Sequence, residues 1–374
     1  MDFTLSDEQK MLRDGLTKFL STRYDLAKSR AAVKTGAGWQ PETWRAFAED
    51  LGILGAALPD DVGGIGGGPV EVMVIAEALG HALVVEPYVD SSVVAAGLLR
   101  RAGGPRATEL LERIAAGRAV VALAASEAES GDDWSRVTTA ATSDGTGWLL
   151  QGTKHVVVSA PLATHLLVTA RTQAGTSLFL VEVEAAGPAL VRHAYRTVDD
   201  RWAADVEFSG VGLDADALLG DDGAAWPSLS RARDEGAAAV CAEAVGCLRK
   251  VLADTVEYSK QRHQFGQPIG GFQVLQHRMV DMHMEVEQAA AAVLLAVLNL
   301  EADETARAKA VSAAKVTIGR AARFVGQNAV QLHGGMGMTE ELAIGHYFKR
   351  LTAVQYEFGS TDSHLARYAE LTTG

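Results

Sequence analysis

Hydrophobic and polar positions recur with different periods along the chain, and the period changes twice. Over residues 1 to about 118 it is helical. Ser6-Asp7-Glu8-Gln9 reads as an N-cap with an acidic first turn, and Leu12, Leu16, Phe19 and Leu20 follow on one face. A helix is expected from about Glu71 to Leu83, after the turn-rich stretch Pro59-Asp-Asp-Val-Gly-Gly-Ile-Gly-Gly-Gly-Pro69. Between about 119 and 220 the pattern shortens to β-rich runs separated by Gly, Asp and Pro turns. These runs are 120–125, 148–151, 155–158, 165–170, 177–183 and 204–208. From about Trp226 long helices return. They are expected over Asp234–Arg262, with Val240, Ala244, Leu248, Val251 and Thr255 on one side, over Phe272–Leu300, and over Thr305–Leu332, stopped by Gly334-Gly335. The order predicts an α+β protein: an N-terminal helical domain (1–118), a middle β-barrel or sandwich (119–220) and a C-terminal helical bundle (221–374).

Composition narrows what such a chain can do. At 374 residues it exceeds the size of one core, so two or three domains are expected. A formal net charge of −13 argues against nucleic acid, because phosphate binding on that scale needs clustered Lys and Arg. It leaves room for a ligand such as CoA, which needs only a local basic patch. Lys349-Arg350 is one such spot, although a solvated helix face explains it more simply. The first residues lack a signal-peptide pattern, and no apolar run approaches the ~20 residues of a membrane span, so a cytoplasmic chain without a membrane partner is expected. Cys241 and Cys247 read as free thiols. The ten histidines show no ligand spacing, so no metal is expected. Neither a dinucleotide-binding glycine fingerprint after a strand nor a nucleophile elbow is present.

Two runs carry candidate chemistry. The first is Tyr258-Ser-Lys-Gln-Arg-His-Gln-Phe-Gly-Gln-Pro-Ile269, followed by Phe272-Gln273 and Val280-Asp281-Met282. The second is Gln331-Leu-His-Gly-Gly-Met-Gly-Met-Thr-Glu-Glu341. A guanidinium can hold a diphosphate through paired charge-assisted hydrogen bonds, and glycines let backbone N–H groups approach phosphate oxygens. Taken singly, Arg262 is a helix-end cation and Gly334-Gly335 a helix stop. Taken together and in order, they resemble the acyl-CoA dehydrogenase family over essentially the full chain. That resemblance implies a four-helix bundle after the β-domain, FAD as cofactor, acyl-CoA as substrate, α,β-dehydrogenation as reaction, and electron-transfer flavoprotein as acceptor. It implies that Arg262 reaches the FAD pyrophosphate of an adjacent subunit and that Gln264, Phe265 and Gln273 line the same cofactor. Gln331, Gly334 and Gly335 are implied to meet its adenosine-diphosphate part, and the backbone at Ser126 its ring.

The same resemblance exposes departures. The family's base, a carboxylate made effective by desolvation, is usually the Glu of a Y-E-G-T run; here that position falls on Phe358, with Glu357 one residue earlier. A second family location, on the helix leading to the arginine, falls on Gly236, beside Glu235 and Asp234. Ala237 stands where an Arg is common. Ser126-Glu127-Ala128 replaces T-E-P, and Val156 and Val158 replace the Trp and Thr that pack on the flavin ring. The set resembles the small-subunit branch of heteromeric pairs acting on sterol side chains or dicarboxylyl-CoA. The expectation is therefore a partner subunit that supplies FAD contacts but no base. The alternatives are a self-sufficient homo-oligomeric enzyme using Glu357 or Glu235, and a non-catalytic scaffold on the same fold.

Overall fold

The structure, a computed structural model, describes residues 4–35, 37–131, 133–143 and 145–373. The chain begins with helices α1 (Asp7–Arg23), α2 (Leu26–Thr35), α3 (Pro41–Glu49) and α4 (Pro69–His81). A π-helical segment, Tyr88–Ala95, then runs into α5 (Ala96–Ala102), and α6 (Pro105–Ala115) follows. Ser6 caps α1 as expected: its hydroxyl accepts from Gln9 N–H while Gln9 reaches back to the Ser6 N–H, a reciprocal box that satisfies two orphan donors.

The β segment contains β1 (Val121–Ala124), β2 (Ala140–Ser143), β3 (Gly147–Val158), β4 (His165–Arg171) and β5 (Thr176–Glu182). After the short helix α7 (Val183–Ala186) come β6 (Leu190–Arg196), β7 (Trp202–Asp214) and β8 (Leu218–Leu219). Strands pair in the order β6-β7-β3-β2-β4-β5-β8, with β1 added in parallel on β4. The sequence runs at 148–151 and 155–158 are one continuous strand, because Gly152 at φ 147 carries the chain past Thr139 without a side chain. The inward residues, among them Leu150, Leu166, Val168, Phe179, Val206 and Phe208, form one closed apolar cluster.

The last segment holds α8 (Trp226–Gln261), a two-stranded hairpin of β9 (His263–Gln264) and β10 (Gln267–Pro268), α9 (Gln273–Leu298), α10 (Glu304–His333), α11 (Ala343–Val354) and α12 (Thr361–Thr373). α8 starts eight residues before the expected Asp234, since Pro227 is at home in a first helical turn.

By contact the chain forms two compact units. One comprises residues 1–26, 69–84 and 237–374; the other comprises 27–68 and 85–236 and contains the sheet. In the first unit the core runs through Val245, Leu248, Met282, Val286, Ile318 and Val325. Two glycines set how closely α4 and α8 approach. A Cβ on Gly80 would lie 1.9 Å from the Glu243 carbonyl oxygen, and one on Gly246 would lie 1.9 Å from that of Glu77. No helix among the described residues is long and apolar enough to cross a membrane.

Candidate functional site

Most of the residues expected to touch a cofactor gather at one end of the helical unit. α8 ends at Gln261, and residues 260–268 are all exposed, so the β9–β10 hairpin projects. Phe265, at its tip, takes φ 55 and is 91% exposed, with its ring edge-on to Phe272 at 6.1 Å. Gln264 turns its amide back to the His263 carbonyl at 2.7 Å. Gln273 opens α9. Tyr258, one turn before Arg262, stacks on His333 with ring centroids 4.3 Å apart and planes at 26°. His333 is the last residue of α10, so this stack joins the Arg262 end of α8 to the Gln331–Gly335 end of α10. Gly334 turns the chain at φ 61, and a Cβ on Gly334 or Gly335 would meet nothing within 4 Å, which leaves that backbone open to a ligand.

Among the described residues, the side chains of Arg262, Gln273 and Gln331 have no intramolecular polar partner. One cationic fork, two amides and an open glycine turn are suited to an anionic, acceptor-rich group, of which a diphosphate is the plainest example. Ser126 belongs to the other unit, where its carbonyl accepts the His155 N–H at 2.9 Å.

The β3 segment beside Ser126 is bulged. Register with β7 slips between Lys154 and Val157, and Val156 takes φ 51 with its side chain mostly exposed. Asp205 holds the bulge. It accepts the Val156 N–H and the Tyr195 hydroxyl at 3.0 Å each and pairs with His155 Nδ1 at 3.0 Å. Burial would raise the Asp205 carboxyl, but the Val156 N–H, His155 and Tyr195 hold it below its usual range. The bulge therefore presents an apolar valine, which can neither stack broadly nor donate a hydrogen bond.

Neither candidate base is an isolated carboxylate. Arg101 Nη1 donates to both oxygens of Glu235, at 2.9 and 3.0 Å, and Arg231 Nε adds a third contact at 3.0 Å. Glu357 meets Arg350 edge-on through Nη1 and, at 2.9 Å, Nη2. Arg350, only 2% exposed, forks onto Glu243 with its Nε and Nη2 at 2.7 and 3.0 Å. Lys349-Arg350 is thus no surface spot for a CoA phosphate as far as Arg350 is concerned: its guanidinium is buried between two carboxylates. Asp234 is fully buried. Phe358, at φ 56, packs on the small cluster of Ala237, Ala238, Ala296, Leu300, Val311 and Ala314. Phe358 and the residues next to Gly236 consequently meet in an apolar patch.

Three family models cover nearly the whole chain: the acyl-CoA dehydrogenase N-terminal domain over 6–118, the middle domain over 122–211 and the C-terminal domain over 225–371. The acyl-CoA dehydrogenase FadE12 of Mycobacterium tuberculosis is 30% identical over 358 residues, which span 91% of this chain and 90% of that protein. The chain belongs to the acyl-CoA dehydrogenase family. FadE27 of the same organism is 28% identical across 98% of this chain and 97% of its own. Among solved structures, the ChsE4–ChsE5 complex from Mycobacterium tuberculosis matches with a TM-score of 0.89 and 28% identity, covering 100% of this chain and 99% of the matched one. A variant of the Tcur3481–Tcur3483 steroid ACAD matches with a TM-score of 0.89 and 29% identity, covering 99% of each chain.

Sequence reading missed the buried charges of this acyl-CoA dehydrogenase fold. Glu127 and Lys154 form a buried pair at 2.6 Å, and Thr138 and Thr139 donate to the same carboxylate. Burial pushes the Glu127 carboxyl up, but the Lys154 and Thr138 hydrogen bonds and the Lys154 charge outweigh it and hold the group at about 2. Only the Glu of the Ser126-Glu127-Ala128 run was a visible signal. The Glu243–Arg350–Glu357 array gave no signal as a unit, since Glu243 lies 107 residues from Arg350 and nothing in the sequence pairs the three. The free thiols are also inert: burial pushes the Cys241 thiol up to about 12.

Proposed function

We propose that this chain is the partner subunit of a heteromeric, FAD-dependent acyl-CoA dehydrogenase in the cytoplasm, contributing cofactor contacts across an interface but no catalytic base. The observation that carries this reading is the fate of the carboxylates. At the two positions where the family keeps its base stand Phe358 and Gly236, and the neighbouring Glu357 and Glu235 are each gripped by arginine. A base for an α-proton must be free to approach carbon and must lose its charge readily. Glu357 in the Arg350 fork, and Glu235 between Arg101 and Arg231, are each pinned in place.

The exposed set Arg262, Gln264, Phe265, Gln273, Gln331, Gly334 and Gly335 supports the other half of the proposal. In this reading Arg262 grips the FAD pyrophosphate, the glutamines and the glycine turn take the adenosine-diphosphate part, and Phe265 covers it from water. Bound FAD supplies the hydride acceptor for oxidation of the acyl β-carbon. Ser126, with its backbone beside the Val156 bulge, contributes less, because the side chains of Val156 and Val158 offer no donor and no aromatic face. Two of the matched structures, ChsE4–ChsE5 and Tcur3481–Tcur3483, are named as pairs, and the second as a steroid ACAD. That favours an unlike second subunit and a bulky acyl-CoA here. Electron-transfer flavoprotein is the acceptor in this reading, and the division at 1–118, 119–220 and 221–374 separates the parts that do each task.

The test is flavin content and turnover of the full chain, purified alone and after co-expression with an acyl-CoA dehydrogenase encoded beside it. The proposal expects little of either alone, and gain of both FAD and acyl-CoA-dependent flavin bleaching in the mixture. Stoichiometric FAD that bleaches with acyl-CoA in the isolated chain overturns it.

A further inference from the structure

The segment between α11 and α12, residues 355–360, is where the family delivers its base, and here it is bound by side chains from three helices, α10, α11 and α12. Arg350 on α11 forks onto the Glu357 carboxylate and, with its other edge, onto Glu243 on α8. Lys315 on α10, 1% exposed, donates to the carbonyls of Val354 at 2.7 Å and Glu357 at 2.6 Å. His364 on α12, fully buried, holds the Phe358 carbonyl at 3.0 Å through Nε2 and Ser312 at 3.2 Å through Nδ1. Across residues 354–359, three main-chain carbonyls and one side chain are fixed by buried cationic or imidazole groups. The backbone turns within that stretch, with Phe358 at φ 56 and Gly359 at φ 115.

Burying this much charge is costly unless the charges are matched and hydrogen-bonded. Here Arg350 is matched to the carboxylates of Glu243 and Glu357, and Lys315 donates to two main-chain carbonyls. Nothing in the helical packing requires the array, since the neighbouring cluster around Phe358 is entirely apolar. An expensive polar network next to a small alanine-lined core defines one loop conformation, because a fork accepts its carboxylate in only one plane.

We infer that Arg350 is a positioning residue that, with Lys315 and His364, clamps the 354–359 loop into a fixed wall. The clamp presents Phe358 to the alanine-lined interior and keeps the loop from rearranging. The inference rests on the base-less reading above, which it extends from the identity of one residue to the rigidity of the whole loop. A charge at 350 is not sufficient for it. Lysine carries the same charge but lacks the planar fork, so it cannot span Glu243 and Glu357 together.

Amide hydrogen exchange of the full chain, followed by mass spectrometry on peptides covering 350–364, tests the clamp. Glu357→Gln is expected to keep the fold, since Arg350 retains Glu243, and to speed exchange of the Phe358 and Gly359 amides about tenfold or more. Arg350→Lys is expected to do the same rather than behave as wild type. If exchange in this segment stays at the wild-type rate in both variants, the clamp is wrong. If Arg350→Lys fails to fold, Glu357→Gln and Lys315→Met decide the matter by the same readout. Turnover of Glu357→Gln in the co-expressed complex separates the two proposals. Faster exchange with turnover lost keeps the clamp and overturns the base-less reading. Unchanged exchange with turnover kept does the reverse.

Discussion

At the scale of single residues, several of the protein's charges are buried and paired within the chain. The pair of Glu127 and Lys154 shows what the buried charges contribute. The Glu127 carboxyl is held at about 2 against an ordinary value of 4.5, so the folded state binds its proton less readily than the unfolded chain. Its stabilising contribution is therefore complete above pH 4.5 and is lost as pH falls from 4.5 toward about 2. Thermal unfolding of the wild type should accordingly show a steep loss of midpoint over that acid range. The double variant Glu127→Gln/Lys154→Met, which removes both charges at once, should show a shallower one. An acid limb equally steep in the double variant would place the titrating group elsewhere. A single Lys154→Met change should behave worse than the double, because it strands a buried carboxylate.

At the scale of elements, the long helices were legible and the strands less so. The 3.6-residue repeat over Asp234–Arg262, Phe272–Leu300 and Thr305–Leu332 lies within a few residues of α8, α9 and α10, except at the start of α8. The start of α8 at Trp226 was missed, although Pro227 is a first-turn signal. β2 and β6 were invisible because their alternation is half polar: β6 reads Leu-Val-Arg-His-Ala-Tyr-Arg and buries only its first residue. The residues expected to hold a cofactor stand out in the sequence because most of them lie in two contiguous runs, and the structure leaves them exposed. The buried forks were not, because Glu243, Arg350 and Glu357 come together only once α8 and α11 pack. The same packing depends on Gly80 and Gly246, whose lack of side chains lets α4 and α8 approach within backbone contact. In a helix interior Gly→Ala ordinarily adds stability, by about 1 kcal/mol. At Gly246 the new methyl would sit 1.9 Å from the Glu77 carbonyl oxygen and 2.7 Å from the His81 nitrogen. The helices must move apart, and Gly246→Ala should cost at least ~2 kcal/mol, read as a lower denaturant midpoint with unchanged slope. Gly15→Ala on α1, where nothing lies within 4 Å of the added methyl, is the control and should be neutral or stabilising.

At the scale of the whole molecule, the proposed role separates holding a flavin from using one. The donors suited to a diphosphate stand on an exposed hairpin and a glycine turn, while Glu235 and Glu357 are paired with arginines within the chain. On that proposal this chain would depend on another for catalysis, and the other would depend on it for FAD affinity. The dependence is measurable at Arg262. If its guanidinium grips the FAD pyrophosphate of the assembled complex, Arg262→Ala removes charge-assisted hydrogen bonds worth roughly 1.5–3 kcal/mol. FAD should then be held roughly 10- to 100-fold more weakly. Arg262 is exposed and unpaired within the described residues, so the substitution should leave the unfolding midpoint of the isolated chain where it was. The complex should still form, lose flavin on gel filtration, and recover turnover when excess FAD is added. Arg262→Lys should fall between, since an ammonium supplies the charge without the fork. Unchanged flavin retention in Arg262→Ala would remove the cofactor role from this arm and leave the exposed hairpin without the task assigned to it. Loss of assembly itself would instead make Arg262 a subunit contact, and the two outcomes are separated by measuring complex size and flavin absorbance on the same sample.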